Sequence, residues 1–95
     1  MPKAQKSHAV VHHVIRLLRE ERERCGLSKY VVAARSGLSQ QTIGYVEREL
    51  TNPSFETIVR MADAIGIDLA GLIVQARMSA TAGKSAAIAA RSRKG

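Results

Sequence analysis

Tryptophan is absent, and two tyrosines and one phenylalanine are the only aromatic residues in a chain of 95. Proteins that grip single strands by stacking bases need exposed aromatic platforms, so this scarcity argues against that class. Cysteine is nearly missing too. Cys25 alone builds neither a disulfide framework nor a four-thiolate zinc site, and it fits a reducing cytoplasm. No run of about 18 apolar residues offers a membrane span. The stretch from Met1 to Ser7 lacks the apolar core of a signal peptide, and no repeat of about 20–50 residues is visible.

What is present is a basic, moderately apolar chain of one domain, with 45% hydrophobic residues and a net charge of +7. That hydrophobic content is too high for a disordered chain. The positive charge suits a polyanion, but it is unevenly placed. Residues 1–27 carry +3, residues 28–66 are neutral, and residues 67–95 carry +4.

Apolar spacing predicts five helices. Val11, Val14, Ile15, Leu18 and Cys25 form one helical stripe, which gives helix 1 over about 9–25, ended by Gly26. Ser28 caps a second helix, 29–36, with Val32, Ala33 and Ser36 inward. Gly37 supplies a left-handed turn, and Ser39 caps a third helix, about 40–48, anchored by Ile43 and Val46. Pro53 breaks the chain. Ser54 caps a fourth helix, 55–65, with Phe55, Ile58, Met61, Ala62 and Ile65 inward. Asp68 caps a fifth, about 69–77. The expected organisation is a flexible leader (1–8), a helical domain (9–78) and a basic flexible tail (79–95) carrying Lys84, Arg91, Arg93 and Lys94. Cys25 is expected to be a small buried apolar residue.

The stretch Lys29–Arg48 carries the function. Two short helices crossing near a right angle need a small residue at the contact, and Ala33 supplies it. The far face of the third helix stays polar: Gln40, Gln41, Thr42, Tyr45 and Arg48. No folding requirement explains two adjacent glutamines there. A major groove admits one helix, whose N-terminal residues meet base edges. Glutamine can pair with adenine through two hydrogen bonds, and a threonine methyl can meet the thymine methyl.

These features together resemble the helix-turn-helix family of phage repressors, Cro proteins and xenobiotic-response-element-like (XRE) regulators. The matching text is Gly26-Leu27-Ser28, Val32-Ala33, Ser36-Gly37-Leu38-Ser39, Ile43 to Arg48, Asn52-Pro53-Ser54 and Ile58 to Ile67. The resemblance implies an all-α, five-helix lambda-repressor-like DNA-binding domain with a disordered basic C-terminal tail. It implies base contacts from Gln40, Gln41, Thr42 and Tyr45, and phosphate contacts from Lys29, Ser39, Arg48 and Asn52. Arg22 interrupts the apolar stripe of helix 1, and a buried guanidinium needs a carboxylate. The resemblance places Glu47 beside it as a structural ion pair. It also implies a homodimer, joined around Leu69, Leu72, Ile73 and Ala76.

Two positions depart from the family pattern. Glu49 stands where the family has glycine; a left-handed conformation costs a non-glycine residue about 1–2 kcal/mol. Glu49 is therefore expected to keep helical angles and lengthen helix 3. Leu50 stands where the family often has Lys or Arg, which removes a phosphate contact and leaves an apolar contact for a partner. His8 and His12 have the i, i+4 spacing of a metal clip but no third ligand nearby, so neither metal nor cofactor is expected. No nucleophile signature is present, and about 65 helical residues offer little room for a catalytic pocket. The expected function is sequence-specific binding of double-stranded DNA by a cytoplasmic transcriptional repressor, not an enzyme. The alternative is an antitoxin or adaptor of the same fold whose main partner is a protein such as a toxin, bound through the tail or Leu50.

Overall fold

The computed structural model describes the backbone of residues 3–94 and the side chains of residues 7–81. Five helices follow in order: α1 (Lys3–Arg24), α2 (Lys29–Ser36), α3 (Gln40–Glu47), α4 (Phe55–Ile65) and α5 (Leu69–Lys94). No strand occurs among the described residues. The caps follow from local chemistry. Ser28, Ser39 and Ser54 hold extended backbones, and their hydroxyls accept from the amides of Val31, Thr42 and Thr57. Asp68 accepts from the Gly71 amide at 3.2 Å. α1 begins inside the stretch read as a leader, where Lys, Ala and Gln favour helix. α5 continues past residue 77 through alanine-rich sequence. The tail side chains of Lys84, Arg91, Arg93 and Lys94 lie outside the described residues.

The inward faces of all five helices meet in one core. α1 lies along α5, and α2 packs on both α3 and α4. Leu18, Val32, Ile43, Val46 and Met61 are fully buried at its centre, each side chain worth about 1.5–3 kcal/mol of transfer from water. Val14, Ile15, Ala33, Ile58, Ala62, Ala64, Ile65, Leu72 and Ala76 complete it.

Several sequence expectations are corrected. Cys25 is exposed: it follows the last residue of α1, and the reversal at Gly26 carries the chain away before the stripe can use it. Phe55 is 70% exposed. It opens α4 one turn ahead of Ile58, the first buried residue of that helix, and walls a surface groove with Val10, Val11, Val14, Pro53 and Ile73. Val11 is likewise exposed. Leu72 and Ala76 are buried in the chain's own core, with Leu69 and Ile73 packed partly against it, so Leu72 and Ala76 are unavailable to a second copy. Glu49 does not extend α3. It adopts φ 56°, the only positive φ among described non-glycine residues. The Leu50 amide donates to the Tyr45 carbonyl at 2.9 Å and the Glu49 amide to the Val46 carbonyl at 3.0 Å. These two bonds form the closing pair of a Schellman C-terminus. The Tyr45 and Val46 carbonyls at the end of α3 are thus satisfied even without glycine.

Candidate nucleic-acid interface

The α2–α3 turn is fixed by side chains from behind. Gly37 has φ 74°, and its amide donates to the Ala33 carbonyl. Buried Ser36 donates its hydroxyl to the Ala33 carbonyl at 3.2 Å and accepts from the Leu38 amide at 3.2 Å. Arg60 reaches from α4 to the Ser36 carbonyl at 3.4 Å, and Arg35 reaches from α2 to the Ala64 carbonyl at 3.2 Å. Each guanidinium meets the carbonyl end of a helix, where the dipole favours a cation. Sequence reasoning gave these two arginines no role. Only the tertiary crossing of α2 and α4 brings them to those carbonyls.

Alternation on α3 separates an inner face from an outer one. Ile43, Gly44, Val46 and Glu47 are buried, while Gln40, Gln41, Tyr45 and Arg48 are exposed and Thr42 is half-buried. Ser39 bonds both the Thr42 amide, at 3.0 Å, and the Thr42 hydroxyl, at 2.7 Å. The polar capacity of Thr42 is therefore largely engaged in the cap. Gln41 donates its amide to the Tyr45 hydroxyl, a one-turn neighbour pair that i, i+4 spacing could have flagged. The Arg48 guanidinium lies 5.7 Å from the Tyr45 ring centroid, and its Nε donates to the Gly44 carbonyl at 3.1 Å. Lys29 is half-buried at the start of α2, and Asn52 is exposed in the α3–α4 loop. Tyr30 stands next to Lys29 and is also exposed; no sequence signal singled it out.

The end of α3 is tied to α1 twice. Arg22 donates from Nε to Glu47 at 2.6 Å and from Nη2 at 2.9 Å, and from Nη1 to the Leu27 carbonyl at 2.9 Å. Both side chains are buried. The bond to Glu47 raises the Arg22 pKa above its ordinary value, outweighing the opposing effect of burial. Two residues past Glu47, the Glu49 carboxylate bonds His12 at 2.8 Å, a pair on the surface that links α1 to the left-handed residue. Sequence spacing could not reveal this contact, which joins residues far apart in the chain.

Among the described residues, no group of three or more His, Cys, Asp or Glu side chains is placed to hold a metal ion. No helix described is long and apolar enough to cross a membrane. None of the curated proteins or solved structures compared with the chain matches it. A family model described as Helix-turn-helix does match, over residues 18–72. That span runs from the last third of α1 to the first turn of α5 and contains the whole capped turn and the Arg22–Glu47 tie of α3 to α1. With more than half its length inside that model, the chain belongs to the XRE-type helix-turn-helix family of DNA-binding regulators, as in phage repressors and Cro.

Proposed function

We propose that the protein is a transcriptional repressor that binds a specific double-stranded site in the cytoplasm by setting α3 into the major groove. The observation that carries this reading is the outer face of α3. Gln40, Gln41 and Tyr45 lie open to solvent on an eight-residue helix whose opposite side is buried. Gln40, Gln41, Thr42 and Tyr45 form the base-facing set, and Lys29, Ser39, Arg48 and Asn52 the phosphate-facing set. The first turns of α2 and α3 add unpaired backbone amides and a positive dipole end, which favour phosphate. Phosphate contacts set register, and base contacts carry sequence. A homodimer would present two such helices about 34–36 Å apart, matching half-sites one turn apart on the same duplex. Repression then follows from occupancy of the site.

Selection of bound duplexes from a random pool tests this. The expected product is a two-fold related motif. Gln41→Ala should relax one base position per half-site by about 1–3 kcal/mol, while Lys29→Ala should weaken all sequences alike. A pool that yields no motif, with binding indifferent to both changes, overturns the reading.

One observation favours a second reading. Leu50 and Phe55 are 65% and 70% exposed, beside the groove that α1, α4 and α5 leave open. An antitoxin or adaptor of this fold would use such groups to hold a protein partner such as a toxin. A chain that shifts no duplex at low salt would replace the first reading with this one.

A further inference from the structure

On the outer face of α3, three side chains are linked in series back to the main chain. The Gly44 carbonyl accepts from Arg48 Nε. The Arg48 guanidinium lies over the Tyr45 ring. The Tyr45 hydroxyl accepts from the Gln41 amide. We propose that Tyr45, within the base-facing set, acts as a positioning residue: its hydroxyl fixes the Gln41 amide so that the remaining N–H and Oε1 face one adenine together. This deepens, and rests on, the reading of α3 as a major-groove helix.

The argument is one of inventory and order. A glutamine amide has two N–H donors and one carbonyl acceptor. With one N–H on Tyr45, one donor and one acceptor remain, the complement of adenine N7 and N6. Guanine offers two acceptors at the same edge, so a held amide meets it with one mismatched group. An exposed glutamine otherwise samples many rotamers, and ordering it on binding weakens the contact; holding it beforehand removes that penalty. Position supports the division of labour. Gln41 is the second residue of α3 and Tyr45 the sixth, and the N-terminal residues of such a helix meet base edges. The Arg48 bond to Gly44 keeps the ring from swinging away when the duplex arrives.

A double-mutant cycle read by duplex selection and by affinity for single-base variants tests the proposal. Gln41→Ala should reduce discrimination at one base position by roughly 10-fold or more, and Tyr45→Phe at the same position by roughly 3- to 10-fold. In the Gln41→Ala background, Tyr45→Phe should change nothing further at that position. Tyr45→Phe keeps the ring under Arg48, so its melting temperature and its affinity for nonspecific duplex should match those of the parent. Full additivity of the two changes, an effect of Tyr45→Phe at a different base, or no effect of Tyr45→Phe would each overturn the positioning role while leaving the repressor reading intact. If Gln41→Ala leaves the selected motif unaltered, Gln41 reads no base, and the positioning role falls with that assignment.

Discussion

Glu49 shows what a single residue can carry against its own preference. At φ 56° it holds the conformation that ends α3, at an intrinsic cost of about 1–2 kcal/mol for a side chain with a Cβ. The His12 contact compensates only weakly, because the two side chains are 48% and 37% exposed to water and such surface pairs contribute about 0–1 kcal/mol. The strain therefore wins. Glu49→Gly is expected to raise stability by about 0.5–1 kcal/mol, an upward shift of a few degrees in a domain this small. Thermal unfolding of Glu49→Gly beside His12→Gln checks this. The first should rise and the second should fall slightly; a fall in both would mean that the carboxylate outweighs the backbone. The same residue shows where sequence legibility stops. Ser28, Ser39, Ser54, Asp68 and Gly37 are readable because capping and left-handed turns are decided within a few residues. The angle of Glu49 is decided instead by whether the α3–α4 loop must reverse there. The exposure of Cys25 and Phe55 depends on which neighbours cover a helix end, which periodicity cannot supply.

At the scale of the element, α3 is too short to stand alone. Isolated helices below about 12–15 residues are marginal in water, and α3 has eight. Its position comes from Ile43 and Val46 in the core and from Glu47 on Arg22. The pair is two-pronged and buried, and the third guanidinium donor is satisfied by the Leu27 carbonyl, so no charge is stranded. Removing one partner strands the other. Glu47→Gln is expected to cost about 3–5 kcal/mol in urea unfolding, whereas Arg22→Met with Glu47→Leu together should recover most of it. The sign of the pH effect follows from the direction of the shift. The Arg22 pKa is raised in the folded state, so its contribution is fully present below the ordinary guanidinium value and is lost only at more alkaline pH. The stability difference between the parent and the Arg22→Met/Glu47→Leu double variant, which strands no carboxylate, should therefore hold constant from about pH 6 to pH 9. A clear decline across that range would mean that Arg22 is not the group that holds α3. The sequence pointed at Arg22 because it broke an apolar stripe. The tie from His12 to Glu49 had no such mark, since both are ordinary surface residues until the fold brings them together.

At the scale of the whole molecule, the net charge and the proposed reading face sit in different places. Residues 28–66, which hold the turn and the outer face of α3, are neutral, while the net +7 comes from the two ends. Affinity from counterion release depends on how many cations reach phosphates, each contributing about 0.9 to the slope of log K against log salt. On the proposed docking, each subunit brings two such cations, Lys29 and Arg48, so a dimer held by these alone has a slope of about −4. A slope near −8 or steeper would instead mean that the basic terminal segments share the duplex. Titrations at several salt concentrations distinguish these cases, and a chain ending at Met78 assigns the difference. Because the proposed reading face lies in the neutral segment, truncation should flatten the slope without changing the selected motif. Lys29→Ala should flatten it by about 2 per dimer. A truncated chain that keeps its slope but loses its motif would place sequence reading in the terminal segment, contrary to the assignment of that role to α3.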